Sequence, residues 1–152
     1  MNSLFDTFKF IQKAHANQTD KVGEPYCMHP LEVMLLMSDN ASLIKKHVAL
    51  LHDVLEDTEY TRENLKEMGY TEEIVNAVKL LTRKKEGQTY AEYINSIIES
   101  KNEIALDVKV SDLLHNLNPV RLSYLPAEKA ASLHKRYVKA LNKIANSGKS
   151  SI

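Results

Sequence analysis

A single cysteine, Cys27, gives the 152-residue chain no partner for an intramolecular disulfide, so a disulfide-stapled secreted scaffold is excluded. Neither charge is in excess. Twenty Lys and Arg balance twenty Asp and Glu, and without a net cationic field the chain is not expected to bind a nucleic acid polymer. No apolar run approaches the roughly 18 to 20 residues that span a bilayer, because Asp, Lys or His breaks every candidate. No basic segment followed by an apolar one marks the N-terminus for secretion, so the expected location is cytoplasmic. Glycine and proline number four each, and apolar and polar residues nowhere alternate with period two. A sheet-rich fold is therefore not expected.

What is present is helical periodicity. Apolar residues recur at spacings of three and four, which predicts an all-α fold, a compact bundle of about seven to eight helices forming one domain over residues 1–152. A first helix is expected from about Ser3 to Asn17, followed by a polar loop to Gly23. Pro30 suits the first turn of a second helix ending near Met37, and it pushes His29 toward an extended conformation at the helix mouth. A third, central helix runs from about Ser42 to Glu56. Thr61 and Thr71 read as N-caps of two short helices separated by Gly69, and Thr89 with Glu92 forms a capping box. Asn102 opens a helix reaching about Leu117, and the last helix runs from near Pro126 to Asn146 with Gly148 as its stop.

Two of these helices carry charges where the pattern demands core. In the stretch from Leu50 to Asp57, His52, Asp53, Glu56 and Asp57 interrupt an apolar helix and share one face. Burying unpaired carboxylates costs several kcal/mol each, so protons, cations or a metal must compensate them. A helix end with Glu56 and Asp57 solvated, and His52 bonded to Asp53, fits the same pattern. In the stretch from Ile104 to Leu117, Lys109, Asp112 and Asn116 fall on one face, either as a joint polar site or as a surface ion pair. With His29, the segments offer two imidazoles and two carboxylates: His29, His52, Asp53 and Asp112. Such nitrogen and oxygen donors without sulfur suit Mn²⁺, Fe²⁺ or Zn²⁺ with coordination positions left open.

These motifs resemble the HD-domain metal-dependent phosphohydrolases, and most of all the hydrolase domain of the RelA/SpoT family and the single-domain small alarmone hydrolases. The resemblance rests on His15 to Gln18 with Gly23 to Tyr26 and His29-Pro30, on Ala49 to Thr58, and on Val108 to Leu117. It implies that His29, His52, Asp53 and Asp112 hold one divalent ion, usually manganese, and that Glu56 and Asp57 are catalytic. It further implies loss of pyrophosphate from the 3′ position of guanosine tetra- or pentaphosphate by metal-activated water. Lys21 and Asn116 are the implied substrate contacts, and Lys109 and Tyr93 join them as candidates. Asp20 stands where the family has a basic residue that stacks on the base, and Asn118 and Pro119 replace a common arginine and small polar residue.

Two alternatives remain at this stage. One is an HD phosphomonoesterase acting on deoxynucleotides or on the 2′-phosphate of a dinucleotide; the other is a nucleotide sensor without turnover. The expected partner in each case is a small phosphorylated nucleotide, and self-association into a homodimer stays open. Among the other histidines, His47 is expected to be exposed or half-buried, His115 packed, His134 solvated, and His15 a cap, a core residue or a support for the metal ligands. Arg83 to Lys85 reads as a wet basic run or as a steering element for an anionic substrate.

Overall fold

The computed structural model describes residues 2–149. The described residues form α1 (Leu4–Ala14), α2 (Met28–Leu36), α3 (Leu43–Leu51), α4 (Val54–Asp57), α5 (Arg62–Glu67), α6 (Glu72–Leu80), α7 (Tyr90–Ser100), α8 (Glu103–Asn116), α9 (Pro119–Ser123) and α10 (Ala127–Lys149). No strand occurs among them, only an isolated bridge between Thr19 and Pro25. Seven helices have nine residues or more, and α4, α5 and α9 are single turns or little longer.

Polar caps set most of the helix starts. Ser3, Thr61 and Thr89 each accept a backbone N–H three residues on, and Asp6, Asn64 and Glu92 return a bond to the cap backbone. Ser42, Thr71 and Asn102 cap α3, α6 and α8 through their side chains alone. Gly69 sits between α5 and α6 with φ +96°, in the left-handed region that favours glycine.

α3 is the central helix, with Val48, Ala49, Leu50 and Leu51 all sealed from solvent. It packs on α1, α2, α6 and α8, and α2 also packs on α8. The mutual contact of α2, α3 and α8 is what positions the site, because each brings chemistry-bearing residues to one region. No helix among the described residues is long and apolar enough to cross a membrane.

Four expectations need correction. The central helix does not reach Glu56; it ends at Leu51, and His52 and Asp53 form a turn before α4. The His52 imidazole takes the Ala49 carbonyl at 2.6 Å, an acceptor in the last turn of α3. His29 lies within α2 rather than extended at its mouth, since α2 begins at Met28 and Pro30 still falls in the first turn, where its missing N–H costs nothing. Gly148 does not stop α10, which continues to Lys149. His47 is buried, its ring 2.9 Å from the Thr7 hydroxyl, which also bonds Tyr70 at 2.7 Å. Because α3 is enclosed by neighbours, even its polar residues are drawn into the core.

Candidate metal centre and active site

The turn at His52 and Asp53 has a geometric consequence. Successive residues of a straight helix point about 100° apart, and the break lets this adjacent pair converge. His52 Nε2 lies 3.0 Å from Asp53 Oδ2 and 3.7 Å from Asp112 Oδ1. His29 Nε2 lies 2.9 Å from Asp112 Oδ1 and 3.8 Å from Asp53 Oδ2. Each imidazole thus faces both carboxylates. His29, His52 and Asp112 are buried, and the Asp53 side chain is 14% exposed.

Hydrogen bonds behind the cluster orient each donor. His52 Nδ1–H donates to Ala49 O, which leaves the lone pair on Nε2, and that buried Nε2 has no hydrogen-bond partner. His29 Nδ1 is 2.7 Å from His115 Nδ1. Burial, then the positive charges of His29 and Arg121, drives the His115 pKa down to about 4, so His115 is neutral and accepts the His29 Nδ1 proton. Tyr26 OH donates to Asp53 Oδ2 at 2.8 Å. Lys109 Nζ holds Asp112 Oδ2 at 2.8 Å, and Asn116 Nδ2 donates to Oδ1 at 3.1 Å.

This donor set fits a divalent cation. A buried imidazole lone pair aimed at a carboxylate oxygen repels it unless a positive charge lies between them. Burial opposes charging His52, but Asp53 and Asp112 outweigh it and hold its pKa well above the ordinary histidine value. Burial likewise opposes ionising Asp112, and the charge of Lys109, with the His29 contact and the His52 charge after it, holds that carboxyl well below the usual range. Two anions and two imidazoles around one point therefore call for a cation, either protons or a metal.

Asp53 joins this cluster to a second. Its carboxylate, with those of Glu56 and Asp57, offers oxygens within 4.8 Å of one another. Glu56 Oε1 accepts the Arg83 backbone N–H at 2.6 Å. Burial first, and the Asp53 and Asp57 charges after it, raise the Glu56 pKa against the pull of that bond. Burial and Asp53 raise the Asp57 pKa as well. Carboxyls raised in this way hold their protons more tightly than free ones, which suits them to proton transfer.

The clusters line a cavity of about 600 Å³, together with Lys21, Tyr90, Tyr93, Lys109, Asn116 and others. Every expected site residue reaches this cavity except His52, which stands behind its wall. Some polar groups are already engaged: Tyr93 OH donates to Leu81 O at 2.6 Å, and Lys21 Nζ donates to Tyr137 OH at 3.1 Å. Lys109 is buried rather than part of a surface ion pair, its Nζ 4.9 Å from the Tyr93 ring centre. His15 is buried and caps α1, and His134 is exposed.

The structure adds residues that the sequence reading did not single out. Tyr26, Arg121, Arg136 and Tyr137 line the cavity. The Arg136 guanidinium lies 4.5 Å from the Tyr90 ring centre. Asp20 holds Arg121 at the cavity wall by a 3.0 Å bond. Only Asn118-Pro119, an N-cap followed by a proline at the first helical position, signalled the helix that carries Arg121.

The chain matches no family model. It is 36% identical over 132 residues to the probable GTP pyrophosphokinase of Mycobacterium leprae (strain TN), covering 82% of this chain and 16% of the relative. It is 33% identical over 146 residues to the probable guanosine-3′,5′-bis(diphosphate) 3′-pyrophosphohydrolase of Mycoplasma genitalium (strain ATCC 33530 / DSM 19775 / NCTC 10195 / G37), covering 86% of this chain and 20% of the relative. It is 34% identical over 120 residues to the guanosine-3′,5′-bis(diphosphate) 3′-pyrophosphohydrolase of Aquifex aeolicus (strain VF5), covering 72% and 16%. The chain thus spans 16% to 20% of the length of these curated relatives. Among solved structures, it superposes on one described as a metazoan ortholog of SpoT that hydrolyses ppGpp and plays a role in starvation responses. The TM-score is 0.71 at 23% identity, covering 93% of this chain and 87% of that one, which shows a shared fold. By sequence the chain thus resembles one part of these RelA/SpoT-type relatives, and it shares its fold with the solved structure.

Proposed function

We propose that this chain, as one domain over residues 1–152, is a manganese-dependent phosphohydrolase that removes the 3′-pyrophosphate of guanosine 3′,5′-bis(diphosphate) or a close relative. The observation that carries the reading is that His29, His52 and Asp53 offer donor atoms within 4.8 Å of one another, with Asp112 Oδ1 2.9 Å from His29 Nε2 and 3.7 Å from His52 Nε2, and Glu56 and Asp57 joined to them through Asp53. The names borne by the Mycoplasma genitalium and Aquifex aeolicus relatives support the substrate. Cys27, free and half-buried, is in keeping with the reducing cytoplasm.

His29, His52, Asp53 and Asp112 are the residues that would hold the ion. A divalent cation, when bound, acidifies water and stabilises negative charge on phosphoryl oxygens. The chain's own groups do the rest. Glu56 or Asp57 takes the proton of the attacking water as its oxygen bonds to phosphorus, and the bond to the ribose 3′ oxygen breaks. The carboxyl that took the water's proton then returns it to that oxygen, releasing pyrophosphate and a nucleoside 5′-diphosphate. Arg83, Lys84 and Lys85 form a second concavity with Glu56 and Asp57 and neutralise the pyrophosphate arm. Lys21 and Asn116 hold the nucleoside end. Lys109 and Tyr93 act chiefly by fixing Asp112 and the cavity wall.

The test is a released-product assay with Mn²⁺ across guanosine, adenosine and dinucleotide phosphates. Pyrophosphate from a 3′-diphosphorylated nucleotide is expected. Orthophosphate from a monophosphate would favour a phosphomonoesterase, and tight binding without any product would favour a sensor.

A further inference from the structure

The Asp20–Arg121 pair joins the loop before α2 to α9 at the wall of the catalytic cavity. Arg121 Nη1 donates to Asp20 Oδ2 at 3.0 Å, and the Asp20 side chain is only 4% exposed. Asp20 has nothing left to offer a ligand, because its other oxygen accepts the Val22 and Glu24 N–H groups at 3.0 Å each. Its effect is to fix Arg121. The other guanidinium N–H groups have no acceptor among the described residues, and they stand in a wall shared with Lys21, Asn116 and Tyr137.

Two features favour a base over a phosphate against Arg121. Its charge is already balanced by Asp20, so a phosphate gains little there, whereas Arg83, Lys84 and Lys85 make no salt bridge among the described residues at the other end. Apolar side chains also stand beside Arg121: Val22, Leu122, Leu125 and Leu133 close a recess of about 20 Å³ behind it, with Lys21, Asn116 and Tyr137 on its other side. A cavity of that size admits no more than a water, so a flat base would rest on these side chains rather than enter between them.

We propose that Arg121, locked by Asp20, selects the substrate's base by donating to the acceptor edge of a guanine. Guanine presents O6 and N7 together, the pair an arginine fork matches, whereas adenine places an amino donor where O6 would be. The assignment rests on the phosphohydrolase reading for its substrate, yet base preference is measurable without turnover.

Calorimetric titration of GDP and ADP into the Mn²⁺-loaded protein tests it, alongside kcat/KM on guanosine 3′,5′-bis(diphosphate) and its adenosine counterpart. The wild type is expected to bind GDP about tenfold or more tighter than ADP. Arg121→Gln should bring GDP down to the ADP level and leave ADP binding and Mn²⁺ stoichiometry in place, measured well below the variant's own melting temperature because Asp20 loses its cationic partner. Asp20→Asn, which frees the arginine but keeps it, should cost part of the preference. Equal or absent GDP and ADP binding in the wild type, or an equal loss for both in Arg121→Gln, overturns the assignment. A guanine preference without pyrophosphate release would sink the hydrolase reading and leave Arg121 as the base selector.

Discussion

At the residue scale, the pKa values of Glu56 and Asp57 are shifted in the opposite direction from those of Asp53 and Asp112. Those of Glu56 and Asp57 are raised, first by burial and then by Asp53, so the folded chain resists their ionisation. A carboxyl held high costs stability in full above its raised pKa, and the cost shrinks as pH falls below that value and is gone below the unfolded pKa. Glu56→Gln keeps an acceptor for the Arg83 N–H and removes that charge. We expect it to lower kcat by roughly 10²- to 10⁴-fold while the melting temperature holds or rises. A loss of activity accompanied by unfolding would count against a proton-carrying role. Asp53 and Asp112 are held low, so the stability they contribute is present above the ordinary carboxylate pKa and lost as pH falls through their lowered values. The His52 pKa is raised by the same carboxylates, so protons compete with a metal for this site. Mn²⁺ affinity should therefore weaken from about pH 8 to about pH 6, measured by calorimetry, with protons released on binding at the lower pH. A pH-independent affinity would contradict this.

At the element scale, the capped starts of α1, α5, α6, α7 and α8 were legible in sequence because Ser, Thr and Asn stand just before each helical pattern. Thr89→Ala removes the cap of α7, which carries Tyr90 and Tyr93, and should cost about 1 kcal/mol in urea unfolding. No measurable change would mean that the Thr89 bond contributes nothing. The break between α3 and α4 was not legible, because Val54 and Leu55 continue the apolar pattern and no glycine or proline marks the interruption. α9 escaped for a different reason: five residues are too few to show a period. The candidate metal donors stood out in sequence because His52, Asp53 and Asp112 interrupt apolar, helix-like patterns. Arg121 and Arg136 look in sequence like any solvated charge on a helix, and only the packing of α9 and α10 brings them to the cavity.

At the scale of the whole molecule, zero net charge conceals a division within one cavity. Carboxylates gather at its centre, and Lys21, Arg83, Arg121 and Arg136 line its walls. The run Arg83 to Lys85, ambiguous in sequence, borders Glu56 and Asp57. The kcat/KM for a polyphosphorylated substrate should fall as salt rises, and Lys84→Gln with Lys85→Gln should flatten that dependence. Identical salt slopes for both proteins would remove the steering role. Because α2, α3 and α8 each bring donors to one buried point, an ion held there ties the bundle together. Mn²⁺ at 100 times its dissociation constant should add about 2.7 kcal/mol of stability.

The most direct test is a calorimetric titration of Mn²⁺ into the purified chain, its Asp53→Asn variant and its Asp112→Asn variant. One ion per wild-type chain, with binding lost in both folded variants, is the predicted result. No binding by the wild type, or binding that survives in either variant unchanged, would contradict the four-residue centre.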